Sequence, residues 1–106
     1  MTERQYAESQ YSIIDEVLPS GEPLRMGLMA SARWQTDPRT MAFTLSRYKF
    51  VAKMLAGRSN VLEIGCGDGF ASRIVRQAVE RLVITDFDPV FVEDFASRND
   101  PRWHTE

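Results

Sequence analysis

The chain has 106 residues with 13 basic and 15 acidic side chains, a net charge of -2, and an apolar share of 43%, too high for a disordered polymer. That bounds it to one small domain at most, and the scattered basic residues exclude a basic face for nucleic acid. A single cysteine excludes an internal disulfide and a multi-cysteine metal site. No stretch resembles a signal peptide or reaches membrane-spanning length, so the expectation is a cytoplasmic chain with neither nucleic acid nor membrane as partner.

In chain order, the spacing of Ala7, Tyr11, Ile14 and Leu18 predicts a helix over Thr2 to Leu18, closed by Pro19. Ser20-Gly21-Glu22-Pro23 is turn material. Leu24 to Gln35 mixes Met26, Leu28, Met29 and Trp34 without a clean period and reads as an ordered lead-in or lid, so that residues 1–36 stand apart from 37–106. Asp37-Pro38 is a helix start, because an aspartate accepts from first-turn amides and proline fits the first helical position. The helix runs from Pro38 to about Ala56 along a stripe of Met41, Leu45, Tyr48, Val51, Ala52 and Leu55, and Gly57 stops it.

Val61-Leu62-Glu63-Ile64 then passes into Gly65-Cys66-Gly67-Asp68-Gly69-Phe70 and back into helical periodicity. This reads as a parallel strand covered on both faces, a tight loop, and a helix with Ala71, Ile74, Val75 and Ala78 inward and Ser72, Arg73, Arg76 and Gln77 wet. Glycines let a ligand approach the loop's peptide groups, and the first amides of the next helix face the same crevice. A second strand, Arg81 to Thr85, ends at Asp86. In an open α/β sheet ligands bind off such strand ends, and an acid about 20 residues after the glycines suits ribose hydroxyls. Val90 to Ser97 predicts another covering helix with Val90, Phe91, Asp94 and Phe95 inward. Arg102 to Thr105 predicts the start of a third strand.

The loop is G-x-G-x-G, with Phe70 where a dinucleotide fold has its last glycine, and Glu63 places an anion where a pyrophosphate would be repelled. The run VLEIGCGDG followed by VITDFDP resembles the first two motifs of the class I S-adenosylmethionine-dependent methyltransferases. The resemblance covers roughly Arg47 to Asp100. It implies an α/β, Rossmann-like parallel sheet with flanking helices, of which this chain holds only the N-terminal half behind a helical lead-in. It implies that Glu63 and the backbone of Gly65, Cys66 and Gly67 surround the methionine part of S-adenosylmethionine. Asp86 would take the ribose hydroxyls, Phe87 would pack beside adenine, and Arg47 would fork onto the cofactor carboxylate.

Plainer roles compete with these. Asp86 and Asp68 can cap the helices that follow them, Asp88 is read as a cap, and Arg47 can be a solvated surface charge. Cys66 reads as an inert small residue, and His104 lacks a partner for base or metal work. Trp34, Met26 and Met29 can line an acceptor site or simply pack. Three functions follow: the donor-binding portion of a methyltransferase acting on a small-molecule or sugar-type acceptor, with no catalytic residue named; a nicotinamide-nucleotide domain of a dehydrogenase; or an inactive fragment. An exposed strand edge would favour self-association.

Overall fold

A computed structural model describes the chain at every position except 1–3 and 19. Among the described residues the fold is mixed α/β, with five α-helices and a two-stranded parallel sheet, helices leading in. A 3-10 turn at Ser9–Ser12 runs into α1 (Ile13–Val17), and α2 (Leu28–Thr36) and α3 (Pro38–Leu55) follow. The strands β1 (Val61–Ile64) and β2 (Leu82–Thr85) flank α4 (Ser72–Arg76), and α5 (Pro89–Arg98) closes the order before a 3-10 turn at Pro101–Trp103. No helix among the described residues is long and apolar enough to cross a membrane.

The long helix α3 forms as its ends dictate. Asp37 accepts from the Arg39 N–H at 3.1 Å, Pro38 occupies the first position, and Gly57 turns the chain away at φ 83°. Met41 and Ala52 are buried and Leu45, Tyr48 and Leu55 half-buried, but Val51, expected in the same stripe, stays exposed. Ala52 meets Val75, Val79 and Leu82 in the core, with Tyr48, Leu55, Val61 and Ile84 packed around them.

Several expectations need correction here. The predicted N-terminal helix shrinks to α1 behind a 3-10 turn; its predicted start at Thr2 and its closing Pro19 lie outside the described residues. Tyr11, Ile13 and Ile14 stay exposed, so this segment buries no apolar face, and a helix that short is not self-supporting. The aperiodic stretch after Leu24 contains a true helix, α2, whose first turn is held by carboxylates from distant parts of the chain. Beyond α5 the chain makes a 3-10 turn where a strand was expected. Only Thr105 and Glu106 pair with β2, the Ile84 N–H donating to the Glu106 carbonyl at 2.7 Å. Val90, placed inward by its spacing, is exposed, while Phe91, Asp94 and Phe95 are half-buried as expected.

A further correction concerns β1. Val61 pairs with Leu82 and Ile64 with Thr85 in parallel register. Val61 and Glu63 face the helices, but Leu62 is 60% and Ile64 81% exposed, because all the helices that pack on the sheet lie on its other side. The Val61 and Gly65 amides donate to Arg81 and Thr85, so alternation turns the Leu62 and Ile64 amides toward an open edge. Covering these two side chains against a second copy would be worth about 2–4 kcal/mol, from which self-association is expected. We expect sedimentation velocity to show larger species as concentration rises, and the Ile64→Thr variant to remain at the monomer's coefficient. A wild-type chain that stays monomeric throughout would argue against this.

Candidate functional site

Three glycines at φ 78°, 62° and 71°, Gly65, Gly67 and Gly69, curl the chain at the end of β1 back over the end of β2. At Gly69 the reason for glycine is doubled, since a Cβ there would lie 2.7 Å from Phe95 Cδ2 and 2.8 Å from Ile84 Cδ1. At Gly65 nothing lies within 4 Å of that point, so the outer side of the bend is open to a ligand.

The curl also uses up the donors of Gly65, Cys66 and Gly67. The Gly65 and Cys66 amides both donate to the Thr85 carbonyl at 2.9 Å, and the Gly67 amide donates to Asp86 Oδ2 at 2.8 Å. Phe70 N–H donates to Asp68 Oδ1 at 3.0 Å. The expectation of free amides lining the crevice is thus corrected: what the loop offers at Gly65, Cys66 and Gly67 is close approach and carbonyls. The five-residue helix α4 starts inside the fold and presents no amide array.

Asp86 reaches the loop. Its second oxygen accepts from the Asp88 N–H at 2.8 Å, and these two backbone donors, Asp88 first and Gly67 second, hold its carboxyl below the ordinary 3.8. A carboxylate has about four lone-pair sites, so Asp86 keeps two for a pair of hydroxyls. Asp88 caps α5 by accepting from Val90, as read from the sequence. Phe87 stands beside Asp86 fully exposed. From Cys66 and Asp86 a cavity of about 460 Å³ runs beneath α5 past Ile84, Phe91 and Phe95. That falls within the roughly 300–1,000 Å³ of small-molecule sites.

Glu63 has a different station from the one expected. It faces the helices, where Ser72 Oγ donates to its Oε1 at 2.6 Å and the Tyr48 hydroxyl donates to its Oε2. Ser72, expected on the wet side of its helix, is fully buried for this reason. Glu63 therefore ties β1 to α3 and α4, and burial, then the bond to Glu63, raises the Tyr48 phenol. Part of the signal for this trio was in the sequence: an acid inside an apolar strand needs buried donors, and Tyr48 belongs to the inward stripe of α3. We expect Tyr48→Phe to cost about 1–3 kcal/mol in a thermal melt, by stranding one Glu63 oxygen, and to leave ligand affinity unchanged. A lost affinity without lost stability would return Glu63 to the crevice.

Cys66 is half-buried, and desolvation followed by the charges of Glu63, Asp86 and Asp68 pushes its thiol up to about 11. Roughly a thousandth of it is thiolate at pH 8. Alkylation by iodoacetamide should be slow there and rise about tenfold per pH unit; a fast reaction at pH 7 would contradict the negative surroundings. Arg47 is exposed on α3 at a groove of about 300 Å³ along the free edge of β1, near Ile64 and Glu63. A separate cavity of about 400 Å³ lies behind the loop among Leu24, Phe70 and Trp103, and none of the seven expected site residues lines it. No group of three or more His, Cys, Asp and Glu able to hold a metal occurs among the described residues.

Comparison with protein-family models, curated proteins and solved structures finds no match. The loop's chemistry therefore has to carry the functional reading. Its bend brings together Gly65, Cys66, Gly67, Asp86 and Phe87 and leaves Arg47 at a neighbouring groove, while Glu63 is tied to Tyr48 and Ser72.

Proposed function

We propose that this chain is the donor-binding portion of an S-adenosylmethionine-dependent methyltransferase with a Rossmann-like parallel sheet. The observation that carries this is the Asp86 carboxylate seated on the Gly67 amide with two acceptor sites to spare, at a bend where the Gly65 and Cys66 amides are already bonded to the Thr85 carbonyl. Such a loop is poor for a pyrophosphate, which needs free N–H donors. Beyond the burial that chiefly raises the Cys66 thiol, the charges of Glu63, Asp86 and Asp68 act on it too, and these negative surroundings favour a ligand with cationic groups.

The residues fit the cofactor in part. Asp86 would take both ribose hydroxyls, Phe87 would stack on the base, and the open side of Gly65 would receive the methionine part. Arg47, at the neighbouring groove beside Ile64, would meet the carboxylate. Glu63 contributes its charge rather than a contact. Bound S-adenosylmethionine supplies a methyl on a sulfonium, open to in-line displacement. The chain's share of that reaction is orientation and exclusion of water. The acceptor, a small or sugar-type molecule on the charge argument alone, and any general base are assigned to no residue here. Isothermal calorimetry with S-adenosylhomocysteine and with NADH decides between this and a nicotinamide-nucleotide domain: heat from the first alone supports the reading, heat from NADH alone overturns it.

A further inference from the structure

The lead-in is not laid loosely on the sheet. Gly27 starts α2 at φ 104°, and a Cβ there would fall 2.6 Å from Asp68 Oδ2 and 2.8 Å from Arg98 Nη2. The Leu28 N–H donates to Asp94 Oδ2 at 3.0 Å, and the Ala30 N–H donates to Asp68 Oδ2 at 2.8 Å. Arg98 completes the circuit, paired with Asp94 at 3.2 Å and donating to the Asp68 carbonyl. Asp68 is 5% exposed, and its two oxygens cap α2 and the glycine-loop turn at once.

We propose that α2 is a latched wall of the ligand crevice: Asp68 holds it against the glycine loop, and a ligand lying on that loop and the docked α2 stabilise one another. Three features support this. Met29 reaches over the loop, its Cγ 3.9 Å from the point a Cβ on Gly67 would occupy. Within α2 only Ala30 is buried, so apolar packing holds this helix weakly and the polar latch decides its position. Its far end joins α3 through one extended residue, Asp37 at φ -161°, which gives the wall a place to turn. A ligand that fixes Gly65 to Gly67 fixes Asp68 with them, and α2 follows. Asp68 is thus a positioning residue, acting through the loop and Met29. The proposal rests on the reading above for the ligand's identity.

Limited trypsin digestion of the full chain at Arg25 and Arg33 reads the position of the wall. In the wild type, saturating S-adenosylhomocysteine should slow cleavage about tenfold. Asp68→Asn turns an amide N–H₂ toward one of two N–H donors, so it should be cut about tenfold faster without ligand and gain little protection with it. Gly27→Ala attacks the latch from the other side and should behave alike, which covers the case where Asp68→Asn fails to fold. Cleavage of either folded variant at the wild-type rate overturns the latch. Calorimetric binding of S-adenosylhomocysteine that leaves wild-type cleavage unchanged overturns the coupling while the proposed function stands. No binding at all overturns that function and the coupling with it, and the ligand-free comparison still judges the latch.

Discussion

Asp86→Asn should lower the affinity for S-adenosylhomocysteine about 100-fold or more. Two hydrogen bonds from hydroxyls to a charged acceptor are worth about 1.5–3 kcal/mol each, and every 1.4 kcal/mol is tenfold in Kd. The variant also turns a donor toward Gly67 or Asp88, which costs stability of about 1 kcal/mol, so a melt should accompany the titration. Because its backbone donors hold the Asp86 carboxyl below 3.8, the acid is ionised throughout neutral pH. Binding that needs the anion is complete throughout neutral pH and is lost only as pH falls through the lowered pKa. Wild-type affinity should therefore be flat from about pH 5 to 8. A titration midpoint inside that window would point to another group.

The second large effect belongs to Gly69. Gly69→Ala places a methyl 2.7 Å from Phe95 and 2.8 Å from Ile84 in a left-handed conformation. The conformation costs about 1–2 kcal/mol and overpacking about 1–3 more. For a domain of this size, each 1 kcal/mol lowers Tm by about 4–8 °C. We expect a fall of about 10–30 °C. Gly65→Ala shares the left-handed backbone but meets nothing within 4 Å, so its melt should drop by about 5–15 °C. Its affinity for the ligand should suffer more than its stability. Equal shifts in the two variants would mean that Phe95 and Ile84 yield and that the loop is not braced against α5.

What could be read from the sequence was what is written locally. Asp37-Pro38 and Gly57 mark α3 because capping and left-handed turns depend on a few adjacent residues. The strand, glycine bend and acid-tipped second strand were equally plain, and Asp86 does lie against the bend. The helix α2 was not, since the carboxylates that satisfy its first turn lie 38 and 66 residues further on. Nor could the run from Val61 to Ile64 tell whether one face or both would be covered, because an apolar strand reads the same either way. Ser72 reads as wet by its own polarity, whereas its burial follows from its bond to Glu63, which Tyr48 also holds.

The central claim is that an adenosylated sulfur ligand lies across the bend between β1 and α4 with its ribose on Asp86. Backbone amide chemical-shift mapping on the full chain tests it most directly. Titration with S-adenosylhomocysteine should move the amides of Gly65 to Gly69 and of Phe87 and Asp88, with Ala30 following through Asp68, and NADH should leave them in place. Shifts from NADH at these amides, or shifts from S-adenosylhomocysteine confined to the cavity behind the loop around Phe70 and Trp103, would contradict it.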